Sequence, residues 1–506
     1  MMRWALLALA LSCGSERRPH EGLGRRLAQG EVLSLRSSPD GAYLALLHHC
    51  LVVNDRTLPP GSGVCDLAVL PTAGGPLQTV ASGVTTLPGG FAWGPSGHVL
   101  SALGRYRHEE GTGELVVWSG ERPRRLATDA SFFALDRAGS KVGWVAQGQL
   151  YLAEVKEGPP QAVAGAEQVA TFEFGAEGSL LARRAASAGG ELFAVSDHTP
   201  SHIGSRVRDY AFAGDGSRFA FTSGAKRTLF VATRREARPP RLLGQGVASF
   251  LFSPSADVIA YVAEETPARQ GVLLVAPLGG GAPVRIASRV SQPRFGATGT
   301  RLAWLQDFDP RSRTGTLAVG GPKAKTVAIA KNVSDFDLAP DASSVAFLTH
   351  ETAGGYSVDL GLSGTSEGAH PVTVARGVFG FAISPDARWL YYRTACVRQA
   401  EACDLMRVPV QGALAGLQSA RAEPIAQGVK SFQFAPGRLD RLLLGWSRSD
   451  RVALDLAIWE QGRLLAVDTY ALPGSAQFVG GDPRRIAYAV VEPGRAGAYL
   501  AEIPLP

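Results

Sequence analysis

The sequence is poor in several features that would identify a function at once. Its 51 Lys and Arg side chains stand against 45 Asp and Glu, a formal net charge of +6, and these charges form no block. Arg greatly outnumbers Lys and the only asparagines are Asn54 and Asn332, a bias typical of a GC-rich genome. The sequence shows no basic helix, zinc-ligand spacing or aromatic-basic repeat, so we predict no nucleic-acid partner.

The chain also lacks an apolar run long enough to cross a membrane. The run that opens it, from Trp4 to Leu11, is far shorter than the ~20 residues of a transmembrane helix. Arg3 precedes this run and small residues follow it, a pattern typical of an export signal. We predict a signal peptide over residues 1–12 and a polar tether over residues 13–24.

The end of the predicted signal contains a second pattern. Residues Ala10-Leu11-Ser12-Cys13 resemble a bacterial lipobox, in which the cysteine becomes the lipid-modified first residue of the mature protein. The resemblance implies lipidation of Cys13 and a place in the cell envelope, on the periplasmic side of the outer membrane or at the cell surface. The membrane would then be reached through the lipid anchor only. The alternative is a secretory signal that is cut nearby, with Cys13 unmodified.

Cysteine is scarce, and its spacing is informative. Apart from Cys13, the four cysteines form two pairs that are close in sequence, Cys50 with Cys65 and Cys396 with Cys403. Paired cysteines after an export signal predict two disulfides formed in an oxidising compartment. A metal site is one alternative, although neither spacing matches a zinc knuckle. Reduced structural thiols are the other.

One short sequence motif, in contrast, recurs along the whole chain. The stretches "RSSPDGAYLAL" and "AISPDARWLYY" have nine weaker relatives, and successive copies are 38 to 56 residues apart. This period matches a four-stranded β-propeller blade. We align the eleven copies on the Asp of Ser-Pro-Asp-Gly and call this position the Asp column. It is occupied by Asp40, Ser96, Ala138, Glu177, Asp215, Ser255, Thr298, Asp341, Asp386, Gly437 and Asp482.

The positions around the Asp column have a physical explanation. Apolar residues lie five and three places before it, as in Phe172 and Phe174, so both lie on one face of a strand. Pro-Asp-Gly then favours a tight turn, and an apolar residue returns four places after the column. Because Ser, Ala, Glu, Thr or Gly replaces the Asp in other copies, we interpret Asp40 and Asp386 as turn residues rather than catalytic carboxylates.

The two chain ends complement each other. Each copy continues into a third and a fourth strand, as in residues 228–233 and 240–247. The last copy has no fourth strand of its own, whereas residues 25–32, "RRLAQGEV", match the pattern of one. We predict that this N-terminal strand completes the C-terminal blade, which removes an exposed sheet edge.

The repeated Ser-Pro-Asp-Gly turn after an apolar-x-apolar strand resembles the TolB-like propeller repeat, over residues 25–506. The resemblance implies an all-β fold of eleven four-stranded blades. Because one ring usually holds roughly four to eight blades, we predict two tandem propellers of five plus six blades, over residues 25–245 and 246–506. The terminal strands would share a blade, and one large ring is the alternative.

Catalytic signatures are absent from this repeat. The sequence has no Gly-x-Ser-x-Gly and no phosphate-binding loop, and the repeats leave no room for an α/β-hydrolase domain. His48 and His49 should point to opposite faces of a strand, and His198 and His202 should lie in a loop with Pro200. We therefore predict no catalytic residue, no cofactor and no metal ligand. Three carboxylate pairs are interpreted as solvated loop charge: Glu109 with Glu110, Glu264 with Glu265, and Asp307 with Asp309.

These patterns predict a monomeric, exported and lipid-anchored binding or scaffold protein of the bacterial envelope. Both cysteine pairs fall between the second and third strands of a blade, in the two copies with the longest spacing. These loops are the predicted contact site for an envelope protein or a small ligand; the alternative is that the disulfides only restrain long loops. The alternative function is a propeller-based polysaccharide lyase or hydrolase with its site in a central channel.

Overall fold

The computed structural model describes residues 22–53, 62–186, 189–196, 198–233, 239–267, 270–350, 358–397, 402–416, 421–447 and 453–504. The predicted signal peptide and Cys13 lie outside these residues. Within them the chain is all-β, as predicted, and its only helices are the α-helical turn Val410–Leu414 and the 3-10 turn Ala176–Gly178.

The strands of the first half have the following bounds. They are β1 (Arg25–Gln29), β2 (Val32–Ser37), β3 (Tyr43–Val52), β4 (Gly63–Pro71), β5 (Gln78–Thr85), β6 (Phe91–Trp93), β7 (Leu100–Arg107), β8 (Thr112–Trp118), β9 (Arg124–Leu135), β10 (Lys141–Ala146), β11 (Gln149–Glu154), β12 (Gln161–Ala162), β13 (Val169–Phe174), β14 (Leu180–Arg184), β15 (Gly190–Ser196), β16 (Thr199–Phe212), β17 (Arg218–Ser223), β18 (Thr228–Thr233) and β19 (Arg241–Gly244).

The strands of the second half continue the same alternation. They are β20 (Val247–Phe252), β21 (Val258–Ala263), β22 (Gly271–Pro277), β23 (Val284–Phe295), β24 (Leu302–Asp309), β25 (Thr314–Gly321), β26 (Ala324–Leu338), β27 (Ser344–His350), β28 (Val358–Gly364), β29 (Val372–Ala375), β30 (Gly380–Ile383), β31 (Trp389–Val397), β32 (Ala402–Pro409), β33 (Glu423–Ala435), β34 (Arg438–Ser447), β35 (Leu454–Glu460), β36 (Arg463–Ala471), β37 (Gln477–Val479), β38 (Asp482–Val490) and β39 (Gly497–Glu502).

Antiparallel pairing groups these strands into consecutive four-stranded units. Five long strands, β9, β16, β23, β26 and β33, belong to two units each. For example, β26 pairs with β25 between Ala324 and Val333 and with β27 between Val333 and Leu338. The units of the described chain, in order, are β2–β5, β6–β9, β9–β12, β13–β16, β16–β19, β20–β23, β23–β26, β26–β29, β30–β33, β33–β36, and β37–β39 with β1.

The N-terminal strand completes the last unit, which confirms the prediction. Strand β1 pairs antiparallel with β39, so that Arg25 lies opposite Leu500 and Gln29 opposite Gly497. The first and last segments of the described chain are therefore held in one sheet, and the outer edge of β39 is covered.

Apolar clusters of buried side chains join neighbouring units. One cluster contains Leu35 of the first unit and Leu500 of the last. Another contains Leu243 and Tyr261, on either side of the predicted boundary between residues 245 and 246. Nine further clusters of the described residues join the remaining pairs of consecutive units. Four-stranded antiparallel units packed face to face in chain order make the fold β-propeller-like.

The repeated Ser-Pro-Asp-Gly motif forms the turn between the first and second strands of a unit. Asp40 accepts hydrogen bonds from the Ser38 hydroxyl, at 2.5 Å, and from the Ala42 N–H, at 3.1 Å. Gly41 follows with a φ of 72°, in the left-handed region that glycine adopts without strain. Asp386 makes the same two kinds of bond in the ninth unit. The structure thus confirms that this column holds turn residues.

Candidate functional site

Both predicted disulfides are present. Cys50 on β3 is bonded to Cys65 on β4, and Cys396 on β31 is bonded to Cys403 on β32. Each disulfide joins the second and third strands of its unit, at the position predicted from the sequence. We call these two disulfides the staples; they lie in the first and the ninth unit.

A residue in the left-handed region precedes the first cysteine of each pair. His49 has a φ of 48° and Ala395 a φ of 49°. The pairing of the two strands shifts at this point and resumes beyond the disulfide, at Leu51 and at Val397. Each staple therefore holds the base of a short β-hairpin that continues past it.

The strand pairs just beyond the two disulfides expose apolar side chains. We call them the first arm and the second arm; they consist of residues 50–53 with 62–65 and of residues 396–397 with 402–403. In the first arm Leu51 is 70% and Val52 68% exposed, and in the second arm Val397 is 60% exposed. Exposed apolar side chains that lie side by side, as Leu51 and Val52 do, are typical of a contact surface.

Each stapled unit exposes one further apolar residue. In eight units a buried valine lies eight places before the Asp column. The residue after this valine is Leu33 in the first unit, 48% exposed, and Phe379 in the ninth, 62% exposed. The corresponding residues of the other six units are small or polar: Ala170, Arg208, Ala248, Ser291, Ser334 and Lys430. We call Leu33 and Phe379 the entry residues. Within the described residues, a disulfide, an apolar arm and an exposed apolar entry residue occur together in these two units alone.

The left-handed residue also brings together two histidines that were expected to point apart. The rings of His48 and His49 are 4.3 Å apart between centroids, and His49 Nδ1 lies 3.4 Å from Asp66 Oδ2. The expectation of opposite faces was wrong because a φ of 48° at His49 interrupts the alternation of the strand. Among the described residues, no group of three His, Cys, Asp or Glu side chains is arranged to hold a metal ion.

The histidine pair predicts a pH dependence of stability. Burial lowers the pKa of His48 from its usual 6.5, and the neighbouring His49 lowers it further, against the opposing effect of Asp66. Below pH 6.5 the unfolded chain therefore binds a proton that the folded chain resists, so the free energy of unfolding should fall as the pH drops through this range.

Urea unfolding at several pH values measures this effect. The His48→Gln protein should lose part of the decrease in stability below pH 6.5. The matched control is His370→Gln, at an exposed histidine outside the arms, which should keep the parent's pH profile. Equal profiles for the parent and the His48→Gln protein would contradict the assignment.

The second histidine pair differs from its prediction. His202 lies in β16 rather than in a loop, with its Nε2 3.1 Å from the Ser205 hydroxyl. Ser196 of β15 pairs with Thr199 of β16, and Pro200 stands near the start of β16, opposite Val195. Proline is tolerated near a strand end, which is why it did not produce a loop here.

Three of the six predicted loop carboxylates, Glu110, Asp307 and Asp309, have partners that hold loops in shape. Glu110 forms an ion pair with Arg107 at 2.5 Å, and Asp307 one with Arg289 at 2.7 Å. Asp309 accepts a backbone N–H of its own loop at 2.9 Å. These partners give these three carboxylates a structural explanation.

Two other carboxyl groups stand on innermost strands. Burial raises the pKa of Glu173 on β13 and of Asp337 on β26, while Arg137 and Arg294, respectively, act to lower it. The two belong to the fourth and the eighth unit, which are not consecutive. Since structural carboxyl groups also show raised pKa values, these shifts alone do not define a catalytic pair.

Removal of a staple should weaken the fold. Replacing Cys50 and Cys65 together by Ser should lower the free energy of unfolding by about 3 kcal/mol, because the bond restrains the unfolded chain. The Cys396→Ser, Cys403→Ser protein should lose less, since its disulfide closes a shorter loop, with a sequence separation of 7 against 15. Urea unfolding under oxidising conditions measures both. Wild-type protein unfolded with reductant should match the combined loss; an unchanged midpoint in either variant would show that its staple does not restrain the chain.

Comparison with known proteins gives no family. No family model matches the chain, and no curated protein matches it. A solved structure of the eukaryotic initiation factor matches 81% of this chain and 100% of its own, with 12% identity and a TM-score of 0.42. A structure of the tricorn protease matches 91% of this chain and 56% of its own, with 11% identity and a TM-score of 0.34. At these TM-scores neither likeness carries an argument about function.

The fold and the site define a class of protein: an all-β, β-propeller-like scaffold with two disulfide-stapled, apolar arms. Among the residues that the structure describes, no helix is long and apolar enough to cross a membrane.

Proposed function

We propose that the chain is an exported, lipid-anchored propeller of the TolB-like type that acts as a binding scaffold in the bacterial cell envelope. It works without covalent chemistry, by holding the two arms rigidly against an apolar partner surface. The observation that carries the proposal is the coincidence in the first and ninth units of a staple, an exposed arm and an exposed entry residue, Leu33 or Phe379.

The proposed scaffold is a single ring of eleven blades. Support comes from the apolar clusters of the described residues, which join the fifth unit to the sixth and the last unit to the first. Two tandem propellers would instead place the fifth unit against the first and the sixth against the last. Averaged electron-microscopy images of the purified protein distinguish the two arrangements: one ring with eleven blades supports the proposal, and two smaller rings contradict it.

The anchor has its own test. The parent chain should incorporate labelled palmitate in its host and fractionate with membranes, and the Cys13→Ala protein should do neither. A Cys50→Ser, Cys65→Ser protein is the control, because it also removes cysteines but keeps Cys13. Palmitate labelling that persists in the Cys13→Ala protein would rule out the anchor while leaving the arms as a binding site.

A further inference from the structure

A cavity of about 460 Å³ lies between the second and the third unit. One side of it is formed by residues 119–123, which join β8 to β9, and the other by the beginning of residues 155–160, which join β11 to β12. We call this cavity the turn pocket. Its polar and charged lining consists of Ser119, Glu121, Arg122, Arg124 and Lys156. The volume falls within the roughly 300–1,000 Å³ of small-molecule sites.

The turn pocket lies at the opposite end of the units from the two arms. In an antiparallel unit the connections between strands one and two and between strands three and four lie at one end of the sheet, and the connection between strands two and three lies at the other. The turn pocket is built from connections between strands three and four, whereas the arms belong to connections between strands two and three. A ligand in the turn pocket therefore leaves the arms free.

Hydrogen bonds fix the side of the pocket that comes from the second unit. Gln78, on the outermost strand of the first unit, donates through its side-chain amide to the Glu121 carbonyl at 2.7 Å. The same side chain accepts from the Trp118 indole N–H at 3.0 Å. Val117 and Val155, which also line the pocket, are buried in the apolar cluster that joins the second and third units. The pocket is thus formed before a ligand arrives, and binding does not have to order it.

Arg124 joins the two sides of the pocket. Its guanidinium donates to the Glu154 carbonyl at 3.0 Å and to the Gly158 carbonyl, both in the third unit. Arg241 donates in the same way from the fifth unit to two carbonyls at the corresponding positions of the sixth. One kind of arginine contact therefore holds two different pairs of neighbouring units together.

The second of these junctions lacks two cations that the first one has. Pro239 and Gly279 occupy there the places of Arg122 and Lys156. The contact between units therefore does not need a cation at either position. Neither Arg122 nor Lys156 forms an ion pair with a described residue. Both cations are therefore available to a ligand.

The lining favours an anion that also carries hydroxyl groups. Its three cations, Arg122, Arg124 and Lys156, stand against one carboxylate, that of Glu121. Arg124 is bonded to neutral carbonyls, so its charge is not compensated. The excess of positive charge attracts an anion, whereas Glu121 repels one that fills the whole pocket. Hydroxyl groups on the ligand resolve this conflict, because Glu121 accepts their hydrogen bonds and Ser119 both donates and accepts.

We propose that the turn pocket binds an acidic sugar, whose carboxylate or phosphate lies between Arg122 and Lys156 and whose ring hydroxyls lie against Glu121 and Ser119. This site goes beyond the proposed contact at the arms and does not depend on it. With the arms at the other end of the units, one molecule holds a carbohydrate and an apolar partner at the same time.

Isothermal titration calorimetry tests the proposal on the mature chain with Cys13→Ser, exported through a cleavable signal and therefore free of lipid. Its probes are glucuronate and glucose 6-phosphate, with glucose and cyclohexanecarboxylate as comparisons that lack the charge and the hydroxyl groups, respectively. One or both acidic sugars should bind, and added salt should weaken that binding. Each comparison should bind at least about tenfold more weakly, because it loses one of the two kinds of contact.

Two variants assign the contacts. Arg122→Gln with Lys156→Gln should weaken binding of the acidic sugar about tenfold or more, since it removes the charged partners of the anion. Glu121→Gln should reduce the preference for glucuronate over cyclohexanecarboxylate, because an amide accepts hydroxyl hydrogen bonds more weakly and does not repel the bare anion. The matched control is Arg206→Gln with Lys226→Gln, which removes two exposed cations outside the pocket and should bind like the parent.

The replaced side chains are exposed, so the variants should fold, and thermal unfolding of each one shows whether it does. Failure of both acidic sugars to bind overturns the inference, as does binding of either comparison as tightly as the acidic sugar. Unchanged affinity in the Arg122→Gln, Lys156→Gln protein would place the sugar elsewhere and overturns it too. None of these results bears on the arms, which every protein in the test retains.

Discussion

Replacing Arg441 by Met, with Glu460 left in place, is expected to lower the free energy of unfolding by about 3–5 kcal/mol. Arg441 is fully buried, and its guanidinium donates to Glu460 Oε2 at 2.6 Å. It also donates to the carbonyls of Pro483, at 3.0 Å, and Pro504, at 3.2 Å, and so joins the tenth unit to the last. Without it, Glu460 keeps a charge in a mostly buried site and two carbonyls lose their donor.

A double variant separates the charge from the contact. Arg441→Met with Glu460→Leu removes both charges, and it should recover a large part of the loss, because the uncompensated carboxylate is gone. The control is Arg388→Met, at an ion pair with Asp386 whose arginine is exposed, and it should cost at most about 1 kcal/mol. Urea unfolding measures all three, and an Arg441→Met protein as stable as the parent would contradict the account.

Replacing Tyr261 by Ala is expected to lower the free energy of unfolding by about 3–5 kcal/mol. The ring is 1% exposed in the cluster that joins the fifth and sixth units, and its hydroxyl donates to the Leu243 carbonyl at 3.0 Å. Tyr261→Phe keeps the ring and loses only this bond, so it should cost about 1 kcal/mol.

The shape of the transition distinguishes the two arrangements of units. In one ring the Tyr261→Ala protein should still unfold in a single calorimetric transition at a lower temperature, because every unit packs against both of its neighbours and all units unfold together. In two tandem propellers the variant should split the transition, since only the half that contains Tyr261 is weakened. A split transition would therefore contradict the single ring.

The sequence predicted the parts of the fold that repeat. The Asp column gave the turns, because a tight turn needs the same few residue types wherever it occurs, as Asp40 and Asp386 show. Residues 25–32 predicted the closing strand, because the last copy lacked one. The two cysteine pairs predicted the disulfides, because export and close spacing left one simple pairing.

Features that depend on a single residue's surroundings could not be predicted. His49 adopts left-handed backbone without the glycine that usually signals it, so its contact with His48 could not be derived from the sequence. Arg441 is an arginine by type but fully buried, and only the fold supplies its partners. The exposed Leu33 and Phe379 became informative only when their column was compared with that of the other units.

The most direct test of the central claim is photo-crosslinking in the intact envelope. A benzophenone amino acid placed at Val52 and at Val397 should form adducts with a neighbouring molecule, because both side chains are exposed on the stapled arms. The same group at Leu242, also exposed but on an outer strand of the fifth unit, should form few. Equal, low labelling at all three positions would contradict the proposal that the arms are the binding site.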